Sequence, residues 1–154
     1  MDNDVRELYQ EVILDHGKNP RNFRQPEDAN CEAQGNNPLC GDRLTVYLKV
    51  DDNQHIEDAA FEGRGCAISM ASASMMTEIV RGKTVHQVRN LFDEFHKLCT
   101  GVADETTPDE FSEEIDKLRV MSGVSQFPMR VKCATLSWHT MNAAVSGNRE
   151  ATTE

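Results

Sequence analysis

Three of the five cysteines stand where a thiol could bind a metal or carry sulfur. Cys40 lies in Asn37-Pro38-Leu39-Cys40-Gly41-Asp42, where proline and glycine bracket a tight loop and a thiol and a carboxylate sit two residues apart. Both can face one ion, and thiolate and carboxylate are both ordinary zinc donors. Cys66 follows Gly63-Arg64-Gly65 at an expected helix start, and Cys133 falls in the first or second turn of the last expected helix. A helix N-terminus favours an anion, so both thiols are expected to ionise more easily than a free one. If the fold brings the two helix starts beside the loop, Cys40, Asp42, Cys66 and Cys133 make a set of three thiolates and one carboxylate. The competing reading is packing, because an isolated cysteine behaves as a small apolar residue. Cys66 comes 26 residues after Cys40 and Cys133 a further 67, with no Cys-x-x-Cys, which matches no simple zinc ribbon. Residue types alone leave both readings open.

The remaining candidates sort more simply. Cys99 lies on an apolar helix face and Cys31 has no flanking ligand, so both are expected to pack. The five histidines, His16, His55, His86, His96 and His139, form no His-x-x-x-His pair and read as surface or capping residues; Met70, Met75 and Met76 read as helix packing. Arg130 and Lys132 precede Cys133 where a helix N-terminus disfavours cations. That mismatch points to service of the thiolates, by lowering a thiol pKa or holding an anionic sulfur.

The elements that must position these residues follow from periodicity. Val5, Leu8, Tyr9, Val12 and Ile13 form one stripe of a helix over about 4–16. Residues 18–37 carry turn signals and little periodicity, predicting irregular chain with a short strand near Cys31. Leu44, Val46, Leu48 and Val50 alternate with polar partners, Asp51-Asp52-Asn53 reads as a turn, and Ile56 to Phe61 returns antiparallel. A small-residue helix follows Cys66 and ends at Gly82; Thr84 caps another that Gly101 stops; Pro128 starts the last. Seven acids and two bases fall within 102–119, where Thr107-Pro108 can open a short helix, and the segment reads as a solvated acidic insertion.

At 154 residues the chain is one domain, with the insertion inside it. A net charge of −10 repels a phosphate backbone and an anionic bilayer, which excludes nucleic acid and membrane as first partners. No apolar run approaches a spanning helix and the Met1-Asp2-Asn3-Asp4 start is acidic where a signal peptide is basic; in a reducing compartment an odd count of five cysteines ranks metal binding or thiol chemistry above a disulfide framework. The expected location is cytoplasmic.

Taken in order, Asn37-Pro38-Leu39-Cys40-Gly41-Asp42, Gly63-Arg64-Gly65-Cys66-Ala67-Ile68-Ser69 and Phe127-Pro128-Met129-Arg130-Val131-Lys132-Cys133-Ala134 resemble the IscU/NifU-like iron–sulfur assembly family, and within it the SufU branch. The resemblance runs from about Leu8 to Ala144. It implies an α+β fold of the SufE/IscU kind, with a small antiparallel sheet of about three strands, helices packed on it and the three cysteine segments meeting at one end. IscU proteins have a histidine before the third cysteine, where this chain has Lys132, so the fourth ligand falls to Asp42. Phe127-Pro128-Met129-Arg130-Val131 also departs from the Leu-Pro-Pro-Val-Lys chaperone motif, which argues against a dedicated Hsp70-type partner. The segment at 102–119 occupies the place of an insertion that looks like a SufU hallmark.

The resemblance further implies a bound zinc held by Cys40, Asp42, Cys66 and Cys133. It implies sulfur transfer from the persulfide of a PLP-dependent cysteine desulfurase to Cys40, then on to a SufB-type cluster-building complex, with Arg130 assisting. A histidine of the desulfurase would replace Cys40 on the ion. Two other readings stay open: a scaffold that builds a transient Fe–S cluster on the same cysteines, and a structural zinc module that only binds partners.

Overall fold

The computed structural model describes residues 3–102 and 109–152. Helix α1 (Asn3–Lys18) is followed by strands β1 (Cys31–Asn37), β2 (Asp42–Val50) and β3 (Ile56–Arg64) and helices α2 (Ala67–Val80) and α3 (Val85–Thr100). After a 3₁₀ turn at Asp109–Phe111 come α4 (Ser112–Leu118), a 3₁₀ segment (Arg119–Gln126), α5 (Pro128–Val145) and strand β4 (Glu150–Thr152). The sheet order is β3-β2-β1-β4. β1, β2 and β3 are antiparallel neighbours, as expected, while β4 adds a short fourth strand parallel to β1.

The helices lie on one face of this sheet. α5 crosses β1 and β2, α2 crosses β3 and packs on α5, and α1 packs on α2. Along β1 the side chains alternate: Ala33, Gly35 and Asn37 are buried under the helices and Glu32, Gln34 and Asn36 face solvent. The same period buries Leu44, Val46 and Leu48 of β2 against Leu136, Trp138 and Met141 of α5 in one core. α2 lies between helices and sheet, so its Ser69, Ser72, Ser74 and Thr77 are buried along with its apolar residues. Three of the four hydroxyls are bonded: Ser72 donates to the Ala134 carbonyl, Ser74 accepts the Arg21 backbone N–H at 2.8 Å and Thr77 donates to the Ser74 carbonyl at 2.7 Å.

Residues 19–30 are irregular apart from an isolated bridge at Phe23 and lead into the seven-residue strand β1 at Cys31, as expected, where a continuous ladder joins it to β2. Two expectations need correction. The segment at 102–119 is not merely solvated: Phe111, Ile115 and Leu118 are buried in the core, and of the acids of α4 Glu113 and Asp116 face solvent while Glu114 is half-buried against Lys83 at 3.0 Å. The Thr107-Pro108 helix start lies outside the described residues. His16 and His139 are half-buried rather than surface residues: His16 Nδ1 meets Ser74 Oγ at 2.7 Å, and His139 stands edge-on to Phe92 at 4.8 Å.

Candidate metal centre

The β1–β2 turn is the first arm of the site. Asn37 and Asp42 close the ladder, the Cys40 backbone N–H bonds the Asn37 carbonyl at 3.3 Å, and Gly41 takes φ of 71°, a left-handed conformation natural to glycine. Residues 38–41 therefore protrude from the sheet end and leave Cys40 exposed. Asp42, the first residue of β2, points the other way and is fully buried.

The second arm is the entry to α2. Cys66 is its N-cap, with Sγ accepting the Ser69 backbone N–H at 3.4 Å. Its own backbone N–H donates to Asp42 Oδ1 at 3.0 Å. Only a residue without a side chain fits just before it: a Cβ on Gly65 would stand 2.6 Å from Asp42 Oδ1. The third arm is α5. It starts at Pro128, which lacks the N–H that would go unbonded there, and it buries Cys133 in its second turn with only 1% of its surface exposed.

These arms converge. A donor atom from each of Cys40, Asp42 and Cys133 lies within 4.8 Å of the others. The Cys133 thiol donates to Cys40 Sγ at 3.5 Å, while the Cys66 sulfur stands outside this three-residue group and its residue is tied to it through the backbone N–H on Asp42. Asn37 Nδ2 completes the enclosure, 3.3 Å from Asp42 Oδ2 and 3.6 Å from Cys133 Sγ.

Protonation follows from that placement. The neighbouring Cys133 thiol draws the Cys66 thiol down to about 6, with the Ser69 N–H acting in the same direction. Cys133 moves the opposite way, its thiol held protonated first by the Cys66 sulfur and then by its own burial. The expectation that both helix-start thiols ionise easily therefore holds for Cys66 and fails for Cys133, which lies too far into its helix to meet free N–H groups. Burial raises Cys31 and pushes Cys99 up to about 12, so both remain thiols, as their packing role requires.

The donor set fits a zinc ion. With arms of about 2.3 Å to sulfur, the edges of a tetrahedron are about 3.8 Å, close to the 3.5 Å between Cys40 and Cys133. Thiolates combined with one carboxylate suit a borderline-soft ion of no fixed d-electron geometry. Arg130 is exposed one turn before Cys133 and Lys132 is half-buried; neither forms an ion pair among the described residues. Leu39, Phe127 and Met129, each more than half exposed, form an apolar fringe beside the cysteine turn and the start of α5. Reading by residue type passed over Asn37, Gly65 and Ser69. The alternation of β1 is the signal that places Asn37 inward with Ala33 and Gly35.

Comparison with known proteins agrees with this geometry. Residues 8–134 match the model of the NifU-like N terminal domain. The zinc-dependent sulfurtransferase SufU of Bacillus subtilis is 43% identical over 90% of this chain and 90% of its own. The iron–sulfur cluster assembly scaffold protein IscU of Streptococcus pyogenes is 37% identical over 96% of this chain and 88% of its own. A crystal structure from Fervidobacterium islandicum, described as a putative iron–sulfur cluster assembly scaffold protein for the SUF system, superposes with a TM-score of 0.78 at 33% identity, covering 91% of this chain and 98% of the other. With its α+β fold and its cysteine segments gathered at one end of the sheet, the chain belongs to the NifU-like N-terminal domain family, the iron–sulfur cluster assembly proteins that include SufU and IscU.

Proposed function

We propose that the chain is a zinc-dependent sulfur acceptor that takes sulfane sulfur from a PLP-dependent cysteine desulfurase and passes it to a SufB-type cluster-building complex. The observation that carries this reading is the inequality of the four arms. Asp42 and Cys133 are buried and Cys66 is anchored at a helix cap, whereas Cys40 is exposed on a glycine-hinged turn and meets the rest through one sulfur contact. Three donors are built to hold and one is free to leave.

Cys40, Asp42, Cys66 and Cys133 would hold zinc, which keeps bound thiols deprotonated at neutral pH. Once released from that set, the Cys40 thiolate attacks the outer sulfur of the donor persulfide. The new S–S bond forms as the old one breaks; the donor cysteine leaves as a thiolate and takes up a proton, and no outside oxidant is consumed. Arg130, exposed one helical turn before Cys133 and without an ion pair among the described residues, would stabilise the anionic persulfide. The apolar fringe of Leu39, Phe127 and Met129 supports docking of a protein at this end.

Metal analysis and one substitution test the reading. The purified protein should hold one zinc per chain, lost on Asp42→Ala. Cys40→Ala should keep that zinc on the three remaining donors while stimulation of the desulfurase falls to background. Full stimulation by Cys40→Ala would assign the acceptor elsewhere. A stable cluster spectrum after anaerobic reconstitution with stoichiometric iron would favour the scaffold reading instead.

A further inference from the structure

The buried end of β1 carries a side chain whose type matches neither its strand nor the core around it. Asn37 is 0% exposed, although asparagine is a poor strand former and costly to bury unless bonded. Its amide nitrogen has two acceptors, Asp42 Oδ2 at 3.3 Å and Cys133 Sγ at 3.6 Å, residues 5 and 96 positions away along the chain. The orientation of the amide is fixed by chemistry: a carboxylate only accepts, so nitrogen must face Asp42. The other amide atom, Oδ1, is buried with no partner among the described residues, so the Asn37 side chain is bonded through its nitrogen alone.

We infer that Asn37 is the positioning residue of the metal centre, bridging Asp42 and Cys133 so that these two stay fixed as ligands while Cys40 exchanges. Two physical effects follow from the geometry. Asp42 has both oxygens committed, Oδ1 to the Cys66 backbone N–H and Oδ2 to Asn37, so the carboxylate cannot rotate away from the site. The N–H directed at the Cys133 sulfur holds that side chain beside Asp42 and facing the site. Among the described residues Cys40 receives no such amide, and its sulfur is bonded by the Cys133 thiol. The asymmetry between holding and leaving arms thus has a residue responsible for it.

The inference rests on the zinc reading, and cobalt(II) titration of the metal-free protein separates the two. For the unaltered chain, thiolate charge-transfer and tetrahedral d–d bands are expected, together with tight zinc binding in competition with a chelator. Failure of the unaltered chain to give them would sink the zinc reading, and the role of Asn37 with it. Given those bands, Asn37→Ala should weaken zinc binding by roughly 10–100-fold, the usual loss for an outer partner of a ligand, and shift the cobalt spectrum. Asn37→Asp keeps the shape but replaces the donor with an acceptor, so it should weaken binding at least as much. Far-UV circular dichroism and thermal melts of the metal-free variants report folding independently. A residue that only supports the turn would lower the melting temperature while leaving the spectrum and the affinity of the folded fraction unchanged. That result, or unaltered affinity in both variants, overturns the inference.

Discussion

A single missing methyl decides how close two arms of the site can come. Because a Cβ on Gly65 would lie 2.6 Å from Asp42 Oδ1 and 3.1 Å from its carboxyl carbon, Gly65→Ala must push the carboxylate or the start of α2 aside. The Cys66 N–H bond to Oδ1 would lengthen in either case. Gly65→Ala is expected to cost roughly 1–3 kcal/mol, as overpacking of a filled site does, and to lower zinc affinity more than a surface substitution would. Urea unfolding and chelator competition would measure both, and an unchanged affinity would mean that Asp42 is not held through Cys66. At this scale the candidate donors could be named from the sequence because thiols and carboxylates announce their chemistry by type, and the structure brings Cys40, Asp42 and Cys133 together. Asn37 and Gly65 could not, because their part depends on distances between segments far apart in the chain.

The elements differ in how plainly the sequence declares them, and the reason is physical. Leu44, Val46, Leu48 and Val50 alternate cleanly, so β2 and its hairpin to β3 follow from side-chain pattern alone. Likewise α3 carries a complete capping box at Thr84 and Gln87 and a left-handed Gly101 at its end. β1, with the sequence Cys-Glu-Ala-Gln-Gly-Asn-Asn, has no β-branched residue, and its extended form is imposed by the ladder to β2 and by α5 above it. Gly35 records that imposition: a Cβ there would fall 1.9 Å from Thr140 Oγ1 and 3.2 Å from Leu136 Cδ1. Gly35→Ala should therefore destabilise the protein by about 1–3 kcal/mol, and Thr140→Ala in the same chain should recover part of the loss. Denaturant midpoints would decide it; a single variant as stable as the parent would show that α5 does not press on β1. Because α5 also carries Cys133, the same variant should weaken metal binding as well.

Over the whole molecule the excess of acid tells less than where the burial of titratable rings falls. The charge of −10 locates no site, whereas two half-buried histidines tie stability to pH. His139 on α5 lies edge-on to Phe92 and 6.2 Å from His96, and its pKa is lowered, first by burial and then by His96. His16 is lowered by burial and next by Arg21, although Glu78 and Asp15 pull it back. A depressed histidine is neutral in the fold at pH values where the unfolded chain binds a proton, so stability rises with pH in that interval. The contribution is complete above the ordinary value of 6.5, declines as pH falls below it, and is gone beneath the folded value. Asp58, held low by its hydrogen bond to Arg24, releases its own contribution only in the carboxylate range further down, so the two losses separate along the pH axis. The metal-free protein should accordingly melt at progressively lower temperature from pH 7 to pH 5. His139→Gln, which keeps a polar side chain but cannot take the charge, should flatten that slope, and calorimetry across the interval would measure the difference. A parallel slope in the variant would mean that His139 is as readily protonated in the fold as in the unfolded chain, and that its place against Phe92 and His96 carries no electrostatic cost.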